Sequence, residues 1–117
     1  MRSHKDLIVW QKSMELVVSI YKTTRDFPKE ELLGITAQMR RAAISIPSNI
    51  AEGYGRVYDK ETVKFLSNAL GSASELETQL ILSKDLDFIS LKEGRQLLEQ
   101  TEEIIKMLSA LIKTFNC

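Results

Sequence analysis

Two adjacent arginines, Arg40 and Arg41, precede a proline, Pro47, and a polar group of Ser48, Asn49 and Glu52 that Gly53 closes. Paired guanidiniums could hold a phosphate, because arginine binds such groups through two parallel hydrogen bonds. Serine, asparagine and glutamate beside a bend could line a polar pocket. Each feature also has a structural reading. An arginine at the edge of an apolar stripe can bond a carboxylate, here Glu75 or Glu77, and the bidentate geometry makes this the favoured reading. Ser48, Asn49 and Glu52 would then satisfy backbone groups freed by Pro47. Both arrangements require the segment to be helical through its proline. An interior proline costs roughly 3 kcal/mol, since it removes one backbone bond and crowds the carbonyl four residues back.

The other reactive side chains do not form a catalytic set, so an enzyme is not expected. His4 is the single histidine and reads as a solvated terminal side chain. One histidine cannot supply the Glu-x-x-His pairs of a di-iron bundle. Glu75 and Glu77, two residues apart on a helix, face different ways. Gly53-Tyr54-Gly55 follows a helix and not a strand, so it is no phosphate loop. Cys117 is the only cysteine, which excludes an intrachain disulfide and fits a reducing compartment. No metal, cofactor or small-molecule substrate is expected. Trp10 and Tyr21 read as core or interface residues, because no basic-aromatic interleaving supports base stacking.

Four helical segments position these residues. Helix 1 spans about Leu7 to Arg25 and carries two apolar stripes. Leu7, Trp10, Met14, Val17 and Tyr21 make one; Val9, Leu16 and Ile20 make the other. Two stripes exceed what one neighbour needs, which predicts association between copies. Phe27-Pro28 ends this helix. Helix 2 starts between Lys29 and Ile35 and reaches about Glu52, with Ile35, Met39, Ala42, Ile46 and Ile50 inward. Gly53-Tyr54-Gly55 offers a left-handed closing residue. Helix 3 runs from an Asp59 N-cap to about Asp87, and its Gly71 predicts close approach by a neighbour. Helix 4 begins at Ser90, with Glu93 at capping-box spacing. Its seam reads Gly94, Leu98, Thr101, Ile105, Leu108, Ile112 and Phe115, flanked by Leu97, Ile104 and Leu111. The expected fold is all-α: an antiparallel up-down-up-down four-helix bundle with a proline-kinked second helix.

The chain's 117 residues suit one domain, residues 1–117, with one core. The N-terminus has no apolar leader, and no run reaches the ~20 apolar residues of a membrane span. A soluble cytoplasmic protein without membrane association is therefore expected. Sixteen basic and sixteen acidic side chains cancel. Residues 1–29 nevertheless hold six basic and three acidic groups, and residues 59–89 hold three and six. The balance lacks the basic excess of a dedicated nucleic-acid binder. It permits pairing between the first and third quarters, within the chain or between subunits.

The residues Leu7-Ile8-Val9-Trp10, Ile20-Tyr21, Phe27-Pro28, Gln38-Met39-Arg40-Arg41-Ala42-Ala43 and Ser45-Ile46-Pro47-Ser48-Asn49-Ile50-Ala51-Glu52-Gly53 resemble the 23S rRNA-intervening sequence protein family. Phe65-Leu66, Ala69, Gly71-Ser72 and Glu75-Leu76-Glu77 extend the resemblance, which covers roughly residues 7–88. It implies a four-helix bundle without catalytic residues, called a ribosomal protein in some usage because of gene location. The family is similar to the accessory variability determinant of diversity-generating retroelements. That relative is a basic, pentameric barrel that binds nucleic acid and a reverse transcriptase. The resemblance thus implies a homo-oligomer, a pentamer by count, with an RNA or protein partner.

Overall fold

The computed structural model describes residues 3–115. Cys117 lies outside them. The described residues form four long helices and no strand: α1 (Ile8–Thr24), α2 (Ile35–Tyr54), α3 (Asp59–Asp85) and α4 (Leu91–Phe115). Single 3₁₀ turns at His4–Asp6 and Lys29–Glu31 precede α1 and α2. Each helix packs on two neighbours, α1 on α2 and α4, and α3 on α2 and α4; the diagonal pairs bring no Cα atoms within 8 Å of each other. Gly53 meets Thr62, Ser45 meets Ser72 and Met39 meets Ser83, so α2 and α3 run in opposite directions.

Apolar residues from all four helices close one core. Leu16, Ile20, Met39, Ile46, Ile50, Leu66, Leu76, Leu80, Ile104 and Leu108 are fully buried in it. Each such side chain contributes roughly 1.5–3 kcal/mol of burial. Phe27 and Phe88 pack at one end with their rings tilted by 55°, ring centres 5.5 Å apart.

The inner stripe of α1 is not the bulkier one. Val9, Ser13, Leu16, Ile20 and Thr24 are buried, while Trp10, Val17 and Tyr21 are half-buried and Met14 is exposed. Two hydroxyls make this possible. Ser13 Oγ donates to the Trp10 carbonyl at 2.8 Å, and Thr24 Oγ1 to the Ile20 carbonyl at 2.7 Å. A polar group satisfied by its own helix can enter the core at little cost. In α4 the buried line is Gly94, Leu97, Thr101, Ile104 and Leu108. Leu97 and Ile104, expected as flanks, lie inside; Leu98 and Ile105 are half-buried.

The helix ends also differ from expectation. Asp59 is the first residue of α3 and Tyr58 its N-cap. Ser90 does cap α4: the Glu93 N–H donates to Ser90 Oγ at 3.1 Å. No glycine has a positive φ; the left-handed residue is Asp87, at φ 61°. It closes α3 as a Schellman motif, with the Phe88 N–H donating to Ser83 O at 2.9 Å and the Asp87 N–H to Lys84 O at 3.1 Å.

Candidate interaction surface

Helix α2 runs unbroken through Pro47, as its apolar spacing requires. The buried ring faces α1. The polar residues around it have separate duties. Asn49 Nδ2 donates to Ser45 O at 2.8 Å and to Ser45 Oγ at 2.9 Å. Ser45 Oγ in turn lies 2.8 Å from Ser72 Oγ on α3. Asn49 therefore braces the α2–α3 contact, not the Ala43 carbonyl that Pro47 leaves without its usual donor. Ser48 is exposed and makes no side-chain hydrogen bond among the described residues. Glu52 pairs with Arg56 one turn on, at 2.8 Å, and the Arg56 guanidinium lies 4.7 Å from the Phe65 ring centre. The polar pocket that Ser48, Asn49 and Glu52 could have lined does not form: Asn49 turns to Ser45 and Glu52 to Arg56.

Gly53 is buried within α2, not a left-handed terminus. A Cβ there would stand 3.1 Å from both Phe65 Cβ and Thr62 O. Thr62 Oγ1 donates to Gly53 O at 2.8 Å. Gly53 thus allows the close crossing of α2 and α3 that the sequence assigned to Gly71. Around Gly71 a Cβ would meet nothing within 4 Å.

Arg40 turns to α1 and not to α3. Its Nε–H donates to Thr24 Oγ1 at 2.9 Å, an Nη2–H reaches Tyr21 O at 3.4 Å, and the guanidinium covers the Tyr21 ring at 4.5 Å. Arg41 is exposed. Neither arginine pairs with Glu75 or Glu77: the ion pairs among the described residues are Lys12–Glu103 at 3.1 Å and Arg56–Glu52. The line of α3 facing α2 passes through Ser72 and Ser83, which leaves Glu75 on the exposed side.

The outer stripe of α1 and the adjacent face of α2 border a long apolar groove. Trp10, Met14 and Val17 face Ile44, Pro47 and Ala51 around a hollow of about 340 Å³. Through Ile44 it continues into a second, of about 630 Å³, bordered by Tyr21, Leu32, Leu33 and Ala37. Trp10 is fixed edge-on against His4, ring centres 5.2 Å apart. Leu33 projects from the turn before α2 with 92% of its surface exposed. Arg40 and Arg41 are the charged residues at this groove, and no carboxylate lines it. Trp10 and Tyr21 were visible as interface candidates in the sequence. Leu32, Leu33 and Ile44 were not; an apolar Leu-Leu pair in a glutamate-rich turn is the signal that marks two of them. Among the described residues no group of three or more His, Cys, Asp or Glu could hold a metal. No described helix is long and apolar enough to cross a membrane.

Comparison with known proteins addresses the order of these features along the chain. The sequence model of the 23S rRNA-intervening sequence protein family matches residues 5–110. The chain belongs to that family. It is also similar to a crystal structure from Bacteroides thetaiotaomicron VPI-5482, described as a protein of unknown function from the S23 ribosomal protein family. The two share 27% identity with a TM-score of 0.84, over 91% of this chain and 96% of the other. No curated protein matches. In this 23S rRNA-intervening sequence protein the Arg40 to Gly53 run belongs to the helix that touches α1 and α3 and walls the groove.

Proposed function

We propose that this protein is a non-enzymatic, cytoplasmic interaction module that works as an assembly of its own copies. In this reading it scaffolds an RNA- or reverse-transcriptase-containing partner. The apolar groove between α1 and α2 carries the proposal: it is long, open and free of carboxylates, and apolar surface of this kind is usually covered by a partner. Five copies is the number implied by the resemblance to the accessory variability determinant. The neutral charge balance supports a scaffold over a direct nucleic-acid binder.

A second reading, direct binding of RNA linked to the ribosome, draws on the family's name. Recovery of the tagged protein from its host, with bound RNA and protein identified together, separates the two. A scaffold brings down a polymerase or an RNA-protein particle, and purified protein alone binds RNA weakly. Strong binding of naked ribosomal RNA that falls steeply with salt supports the second reading instead. A monomer at ~10–100 μM by light scattering, well above the micromolar Kd of a modest specific interface, would overturn self-assembly.

A further inference from the structure

We infer that the α1/α2 groove receives the outer stripe of α3 from a second copy of the chain, in a head-to-tail contact steered by charge. The inference rests on the self-assembly proposed above and specifies the two surfaces that meet.

The charge of the two surfaces motivates it. Arg40 and Arg41 are the charged residues of the groove, and no carboxylate lines it. Glu75 and Asp85 stand exposed on α3. Among the described residues no carboxylate of α3 takes part in an ion pair, and neither groove arginine has a carboxylate partner in its own chain. A second copy can bring the two together.

The surfaces match in character. Glu75, Thr78, Leu82 and Asp85 recur at steps of three and four along exposed α3, so they share one face. Ile81 and Leu86 stand beside them, and Ile81, Leu82 and Leu86 are 43%, 48% and 55% exposed. Lys84, the one cation nearby, lies with Leu91, Arg95 and Leu98 on the α4 side. The stripe is thus apolar with carboxylates, about 16 Å long at 1.5 Å per residue. The groove is apolar with arginines. An amphipathic helix laid into an apolar groove is a common recognition mode.

A symmetric groove-on-groove contact fits less well. Arg40 and Arg41 lie midway between Leu33 and Ala51, so a two-fold axis there would bring like charges together. Groove and stripe occupy different sides of the bundle, so the contact repeats from copy to copy. Such heterologous contacts close into a ring or continue as a filament.

Charge reversal in the full-length chain tests the contact. Leu33, Arg41, Glu75 and Asp85 are all exposed, so substitutions there leave the fold intact, and circular dichroism checks this. Light scattering and sedimentation should show Leu33→Asp and Arg41→Glu each weakening assembly roughly tenfold or more. Glu75→Lys combined with Asp85→Lys should do the same. The chain carrying Arg41→Glu, Glu75→Lys and Asp85→Lys together should regain assembly, since both partners have exchanged sign. Assembly of the unaltered chain should weaken in about 1 M salt, where the screening length is about 3 Å. A wild-type monomer overturns self-assembly, and this contact with it. A wild-type assembly indifferent to these substitutions, or a folded triple variant that stays dissociated, overturns the contact while self-assembly stands.

Discussion

Arg40 and Thr24 hold α2 to the last turn of α1. The arginine Nε–H donates at 2.9 Å to a hydroxyl whose own proton goes to the Ile20 carbonyl. Removing the arginine leaves buried Thr24 short of a donor and uncovers the Tyr21 ring. Arg40→Ala should therefore lower stability by about 1–3 kcal/mol in urea denaturation. Arg40→Lys should recover only part, because an ammonium cannot both stack flat on a ring and present that N–H. Full recovery by lysine would show that charge alone matters here.

Gly53 and Gly71, both inside helices, should respond oppositely to alanine. At Gly53 the new methyl group would press on Phe65 and the Thr62 carbonyl at 3.1 Å, and backbone must yield. A loss of about 1–3 kcal/mol is expected. At Gly71 the methyl group meets open space. Alanine there should gain up to about 1 kcal/mol from helix propensity. Melting temperatures of the two variants check the contrast.

Asp87 pays for its left-handed backbone, at φ 61°, and sets a carboxylate at the negative end of α3. Asp87→Gly keeps the Schellman bonds and removes both penalties. It should stabilise the chain by about 1 kcal/mol. A fall in melting temperature would mean that the Asp87 side chain has a favourable role.

Pro47 combines a backbone defect with a place on the groove wall. Pro47→Ala restores a donor to the Ala43 carbonyl and removes an apolar ring from the groove. The subunit should melt at the same temperature or higher, and assembly should weaken. Higher stability with unchanged assembly would show the proline to be a local accident of α2.

The stripe of α2 was readable because its buried positions are almost all apolar, and that of α3 because Leu66, Ala69, Ala73, Leu76 and Leu80 keep the helical step between its buried Thr62, Gln79 and Ser83. Both stripes of α1 were readable, but not which of them faces inward. Its inner line includes Ser13 and Thr24, which hide by bonding their own helix, while large Trp10 and Tyr21 stay half outside. A scan that scores residue type cannot register a hydroxyl satisfied locally. The partner of Arg40 was missed likewise: charge suggested a carboxylate on α3, whereas the geometry supplied a threonine and a tyrosine face on α1. Asp87 was passed over because glycine is the customary left-handed residue, and the glycines after α2 drew that role. The motif from Arg40 to Gly53 was legible as a unit but not as a wall of the groove, since Leu33 and Trp10 join it only in three dimensions.

Every side-chain hydrogen bond between two of the four helices, among the described residues, has α2 as one partner. Arg40 reaches α1; Ser45, Gly53 and Met39 engage α3. Helix α4 has none: its buried Thr101 bonds its own Leu97 carbonyl, and its one bridge is the exposed pair Lys12–Glu103. Such a pair contributes well under about 1 kcal/mol. Three helices are thus riveted in register, while the fourth is held by apolar packing and one exposed ion pair. It can open from the frame without breaking any hydrogen bond to it beyond that exposed pair. Amide protons of α4 should exchange first, and the molecule carries a detachable flank beside a fixed three-helix frame.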